Sequence, residues 1–165
     1  MGLDLVDHRR GPADKYSWMP PFDWEIAYTN ERWWDEVRYY ADDPWFVQVL
    51  EDGVEVARIE LDDPGGINPT YLNVPELGTD RLEIQLIEVA AASHNRGVGT
   101  RVVQALSRRH PGRRLFAYSE QADGFWARLG WEPFYDPGPG PAGHTLFIQP
   151  TVAPTLDSGS HVRHE

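Results

Sequence analysis

The chain has 165 residues, a length that suits one domain with a sizeable core. It contains no cysteine, which excludes disulfides and thiolate metal sites, and its formal net charge of -11 argues against general nucleic-acid affinity. No apolar run reaches the about 18 to 20 residues of a membrane span, and the polar start lacks a signal-peptide core, so a soluble, cytoplasmic protein with no membrane partner is expected.

Charge is spread unevenly, with a net -13 over residues 1–95, +5 over 96–131 and -3 over 132–165. The positive stretch holds Arg96, Arg101, Arg108, Arg109, Arg113 and Arg114, a composition suited to a ligand with several phosphates.

Residues 1–22 are polar and broken by Pro12, Pro20 and Pro21, so only Leu3 to Val6 reads as a short strand there. Asp23 to Thr29 fits an edge strand with Trp24, Ile26 and Tyr28 on one face. Thr29 or Asn30 then caps a helix predicted to run to about Tyr40, ahead of Pro44. That helix would place Trp33, Val37 and Tyr40 on one side and Glu31, Asp35 and Glu36 elsewhere. Five of the seven tryptophans precede residue 46, so aromatic side chains here either fill a core or, with the acids, line an amine-binding cleft through Trp33 and Glu36.

Trp45 to Glu51 and Val54 to Asp62 alternate about Asp52-Gly53, the turn pair of a β-hairpin. Residues 63–80 form a long connection with three prolines, suited to closing over a substrate.

The stretch from Leu82 to Gln104 organises the rest. Leu82 to Val89 alternates as a strand, Ala90 to Asn95 breaks the pattern, and Val102, Val103 and Leu106 recur at helical spacing after Gly97 and Gly99. A helix N-terminus carries unpaired N–H groups and partial positive charge, so this strand, glycine loop and helix make an anion cradle to which Arg96 adds a cation. The stretch is not a P-loop, which needs Gly-Lys-Ser/Thr, nor a Rossmann turn, which needs a third glycine.

The helix from Gly99 is expected to end before Pro111-Gly112. Arg114 to Ser119 follows as a strand, and Ser119 is positioned to cap a further helix that Gly130 terminates. Gly124 inside that helix costs about 1 kcal/mol relative to alanine, which hints at close packing against backbone or ligand. Trp131 to Tyr135 starts another strand, 136–143 is a Pro/Gly loop and His144 to Gln149 is the last strand. Residues 1–150 therefore read as one domain, with 151–165 a flexible tail.

His94-Asn95-Arg96-Gly97-Val98-Gly99 resembles the acetyl-CoA signature of the GNAT superfamily of N-acetyltransferases, Gln/Arg-x-x-Gly-x-Gly/Ala after a strand, with histidine in the first position. Ala122 to Trp131 resembles the family's Ala-x-x-Phe-Tyr-x-x-x-Gly-Phe helix. The resemblance implies a mixed, largely antiparallel sheet of about six or seven strands flanked by three or four helices, splayed after the central strand. It also implies acetyl transfer to a primary amine by direct attack in a ternary complex, with acetyl-CoA as donor and no metal. The amine, on a small molecule or a peptide, would be cationic given the acidic first half, and a homodimer is compatible with the family.

By that correspondence Ile87, Glu88 and Val89 would bind pantetheine, and His94, Asn95, Arg96, Gly97, Val98, Gly99 and Thr100 the diphosphate. Ser119, Phe125 and Trp126 would complete the cofactor site. Val89 would polarise the thioester through its amide. Glu83 matches the glutamate base of the histone-type branch and on strict alternation shares a face with Gln85, Ile87 and Val89, opposite Glu88. Trp126 stands where the family often has a tyrosine acid, and indole supplies no acid at neutral pH. Tyr118 or Tyr135 would then protonate the thiolate, or it leaves unassisted. The tryptophan leaves open a second reading, a cofactor-binding module without turnover. A third, acetylation of aminoacylated tRNA, is disfavoured by the acidic charge.

Overall fold

The computed structural model describes residues 2–38, 41–138 and 143–151. Among these residues seven strands form one sheet: β1 Asp4–Arg9, β2 Trp45–Glu51, β3 Val54–Asp62, β4 Arg81–Val89, β5 Arg114–Tyr118, β6 Glu132–Phe134 and β7 Leu146–Ile148. Their order is β1-β2-β3-β4-β5-β7-β6, and only β4 and β5 run parallel. The described residues hold two α-helices, α1 Val98–Arg109 and α2 Asp123–Arg128, and three single 3-10 turns. The hairpin and the strand, loop and helix at the centre lie where periodicity puts them.

One face of the sheet packs against the helices. Val98, Val102, Val103 and Leu106 of α1 and Trp126 of α2 meet Val47, Ile59, Leu82 and Ile84 there. No helix among the described residues covers the other face. Loop residues Phe22, Tyr28 and Trp34 cover Phe46, and the 63–80 connection lays Tyr71 on Phe116 and Ile148.

The strand expected over 23–29 does not form, and the helix expected to run from Thr29 or Asn30 is a 3-10 turn at Glu31–Trp33. Residues 39 and 40, the expected helix end, and the tail from 152 lie outside the described residues. The physical reason is that this segment's backbone makes only isolated turns of its own, as at Asp23–Ile26 and Asn30–Trp34, and is otherwise held by side chains of the sheet. The Asp23 N–H donates to Glu55 at 2.9 Å, the Arg58 guanidinium donates to the Asp23 carbonyl at 2.7 Å, and the Asn30 N–H donates to Glu88 at 2.9 Å. Such partners are invisible to local periodicity. Of the early tryptophans Trp34 and Trp45 are buried and Trp18 and Trp33 pack partly on the core, whereas Trp24 is exposed.

Two bulges decide which side chains face which layer. A register shift between Val49 and Leu50 lets Val56 and Ala57 both reach the helix-side core, so Glu55 and Arg58 emerge together on the loop-covered face. The second shift pairs Glu60 with Leu86 but Leu61 with Ile84, leaving Gln85 as the extra residue of β4. Leu82, Ile84, Ile87 and Val89 therefore belong to the helix-side core. Glu83, Leu86 and Glu88 stand opposite Asp62, Glu60 and Arg58 on the other face. This corrects the expectation that Glu83 shares a face with Ile87 and Val89, because alternation breaks at Gln85.

Near α2 two further expectations change. The helix starts at Asp123 after Ala122, so Ser119 is not its N-cap, although its hydroxyl accepts the Ala122 N–H at 3.0 Å. Gly124 meets no backbone; the nearest atom to a Cβ there would be an Arg128 guanidinium nitrogen, at 3.4 Å. Gly130, at φ +81°, ends the helix as expected.

Glu55 and Arg58 are 2% and 3% exposed and lie 2.9 Å apart, with the guanidinium over the rings of Phe22, Trp24 and Tyr28. Breaking a buried pair strands a charge away from water. Arg58→Ala is expected to cost about 3 to 5 kcal/mol, read as a lower urea midpoint; a loss below about 1 kcal/mol would show that this pair does not anchor the segment.

Candidate functional site

β4 and β5 pair only from Arg81 to Glu83 and from Arg114 to Phe116. Beyond that the strands part, and a cavity of about 660 Å³ opens between them. On its β4 wall, the Ala90 N–H donates to the Val56 carbonyl at 2.8 Å, which makes Ala57 and Val89 the adjacent non-hydrogen-bonded pair. The main-chain N–H and C=O of Val89, and by the two-residue period those of Ile87, thus point away from β3 into the gap, while those of Glu88 between them face Arg58 of β3 and are not free for pantetheine. The Val89 carbonyl is taken by the His94 ring, whose Nε2–H donates to it at 3.0 Å.

Asn95 and Gly97 adopt positive φ, +63° and +68°, which turns the chain sharply into α1. No side chain caps the N-terminus of that helix. A Cβ at Gly97 would meet open space, so its glycine serves the left-handed backbone. Gly99 has a different cause: a Cβ there would lie 3.1 Å from Phe125 and 3.5 Å from Val89. The second glycine of the motif therefore seats α2 against the strand end.

The cavity brings together most of the residues the sequence singled out. Ile87, Glu88 and Val89 line it from the strand; His94, Asn95, Gly97, Val98, Gly99 and Thr100 from the loop and first helical turn. Tyr118, Phe125 and Trp126 line the opposite wall, and Trp33 the loop side. Trp126 is buried, its ring 4.9 Å from Phe125 and 4.7 Å from Trp131.

Four expected residues do not reach the lining: Glu36, exposed beyond the 3-10 turn, Ser119, buried beneath it, and Arg96 and Glu83. Arg96 lies 3.5 Å from Glu51 and donates to Ser93 Oγ at 3.3 Å, and Arg101 lies 2.7 Å from the same Glu51. Their guanidinium groups hold the Glu51 carboxyl below the usual range. Arg109 pairs with Asp7 and Arg113 with Asp63. Acids of the first half thus neutralise much of the positive stretch, which charge counting along the chain could not reveal. The basic residue that does line the cavity is Arg128, one helical turn after Phe125.

Sequence reasoning also missed Thr29, Asn30, Gln85, Leu86 and Glu120 in the lining. The i, i+3 spacing of Phe125 and Arg128 was a usable signal; nothing local announced Asn30. Tyr135 is exposed and does not line the cavity, which leaves Tyr118 as its tyrosine among the described residues. The Tyr118 hydroxyl accepts the Asn68 N–H at 2.8 Å and donates to the Gly66 carbonyl at 3.3 Å. Burial pushes its pKa up.

Glu83 lies under the same connection, 7% exposed. A Cβ at Gly65 would sit 2.5 Å from the Glu83 Cβ, so the chain passes directly over it. Burial, reinforced by Asp62 and Glu60 and opposed by the Gly66 N–H and Arg38, pushes the Glu83 carboxyl up to about 7. Among the described residues no group of three His, Asp or Glu side chains could hold a metal, and no helix is long and apolar enough to cross a membrane.

Residues 8–131 match the model of the Acetyltransferase (GNAT) family. The chain belongs to that family. An acyl-CoA N-acyltransferase from Pseudomonas aeruginosa shares its fold at 12% identity and a TM-score of 0.50, covering 90% of this chain and all of that one. A Lactobacillus plantarum protein assigned as an N-acetyltransferase does so at 13% identity and a TM-score of 0.52, covering 90% of this chain and 96% of that one. An acetyltransferase from Thermus thermophilus is 19% identical with a TM-score of 0.48, and the match covers 65% of this chain and 64% of that one. No curated protein matches the chain.

The Glu83 carboxyl has a consequence for stability. Below about pH 4.5 it is protonated in both states and contributes nothing. Between there and about 7 the unfolded chain releases the proton while the folded one keeps it, so stability falls as pH rises and levels off above. The fall is on the order of 3 kcal/mol and should vanish in Glu83→Gln. Parallel pH profiles of urea stability that coincide for the two proteins would show the carboxyl unperturbed.

Proposed function

We propose that the protein is an acetyl-CoA-dependent N-acetyltransferase that acetylates a primary, cationic amine by direct attack in a ternary complex. The observation that carries this reading is the cavity joining the uncapped start of α1 to the outward main-chain groups of Ile87 and Val89. Acetyl-CoA, when bound, supplies an activated acetyl group.

The residues present fit that donor. A helix start without a side-chain cap favours a diphosphate at the amides of Val98, Gly99 and Thr100, with Asn95 beside them. The main-chain N–H and C=O of Ile87 suit an amide-bearing pantetheine arm, and the N–H of Val89, whose own carbonyl is held by His94, would stabilise charge on the carbonyl oxygen during transfer. His94 holds the Val89 carbonyl, which supports a role in fixing the strand end rather than in binding phosphate.

Glu83 acts as the base in this reading, supported by a carboxyl raised close to neutrality at the point where β4 and β5 part. Tyr118 lines the cavity, and it would protonate the departing thiolate by turning its one O–H away from the Gly66 carbonyl. Trp33 with Thr29 and Asn30 forms the acceptor wall, and Glu36 has no part in it. Dependence on acetyl-CoA would place the protein in the cytoplasm, with the cofactor.

Calorimetry with CoA tests the donor assignment: binding in the micromolar to hundreds of micromolar range is expected, and none at millimolar cofactor would sink it. In a CoA-release assay, kcat/KM should rise with pH through about 7, where Glu83 loses its proton, and level off above. Glu83→Gln should lose that limb and on the order of a hundredfold or more in rate. The absence of Glu83 from the cavity lining and the indole at Trp126 favour the second reading, a cofactor-binding module; CoA binding without turnover of any amine would select it.

A further inference from the structure

Glu88 is a buried carboxylate that lines the cavity, and its immediate partners are neutral. One oxygen accepts the Asn30 N–H at 2.9 Å and the Asn30 Nδ2–H at 3.0 Å, and the other accepts the Trp34 Nε1–H at 2.9 Å. These bonds fix the short segment that carries Thr29, Asn30 and Trp33, the loop side of the cavity. The cation nearest in register is Arg58, directly across on β3, but its Nε donates to Glu55 and its Nη2 to the Asp23 carbonyl. The guanidinium is thus bonded to Glu55 and not to Glu88, which among the described residues forms no ion pair at the cavity wall.

Resting on the acetyltransferase reading, we propose that Glu88 is the residue that makes the acceptor subsite select amines bearing a second positive charge, and that its three hydrogen bonds position the wall they meet. A carboxylate held by neutral donors keeps its full charge, and its field is stronger in a cavity poor in water. Trp33 adds an aromatic surface to the same wall, so a cation there meets both a buried anion and a ring. Asn30, with its amide N–H groups committed to Glu88, presents no charge that would repel it.

The test compares a linear diamine with the monoamine of equal chain length at saturating acetyl-CoA. The wild type should favour the diamine. Glu88→Gln should lower kcat/KM for the diamine about tenfold and for the monoamine less than about twofold, with CoA affinity unchanged. Trp34→Phe keeps the charge but removes one bond, and should raise KM for both amines with kcat and CoA affinity unchanged. An equal loss on both amines in Glu88→Gln, a parallel loss of CoA affinity, or a wild type indifferent to the second charge would overturn the proposal. Turnover of the monoamine would in those cases leave the acetyltransferase reading standing, whereas CoA binding with no turnover of any amine would remove both.

Discussion

The structure depends on a strand that is hydrogen-bonded along its length on one side and for three residues on the other. β4 follows β3 from Asp62 to Ala57 but leaves β5 after Glu83. Backbone groups that leave a ladder need partners, and here they face a cavity instead of another strand. Gly99 lets Phe125 press in beside Val89, so the helix-side core reaches the cavity through Phe125 and Trp126, which line it.

The acidic first half plays a part that its charge alone does not suggest. Glu55 and Glu88 are internal ligands for the loop 23–34, accepting hydrogen bonds from its backbone, from Tyr28 and from Trp34. Glu51, Asp7 and Asp63 hold arginines of the positive stretch. A face that most α/β domains would cover with a helix is instead closed by aromatic rings hung on buried carboxylates. This arrangement places side chains from far apart in sequence on one cavity wall, at the cost of desolvating several charges.

Wherever local pattern and tertiary demand agreed, the sequence was readable. Asp52-Gly53 announces its hairpin, Val98 to Leu106 their helical face, and Gly97 and Gly99 the helix start, because each rests on bonds within a few residues. The segment 23–38 carries the local pattern of a strand and a helix but forms neither, because main-chain bonds from it run to Glu55, Arg58 and Glu88, up to 58 residues away. The face assignment of Glu83 failed at Gln85, since a bulge is a property of two strands and leaves no mark in one. In the site, the loop and strand residues were legible through the family motif. Asn30, Glu120 and Arg128 enter through folding, and Arg96 is drawn away by an acid 45 residues earlier.

Gly65, at φ +80° with no room for a Cβ above Glu83 and Phe116, brings the connecting chain to within one backbone thickness of a carboxyl group. By excluding water the cover helps hold the proton on, and burial outweighs the Gly66 N–H, which favours the ionised form. Ionisation of Glu83 and release of the cover are therefore linked equilibria: whatever lifts residues 65 and 66 admits water and makes the group a stronger acid, and alkaline conditions loosen the cover in return.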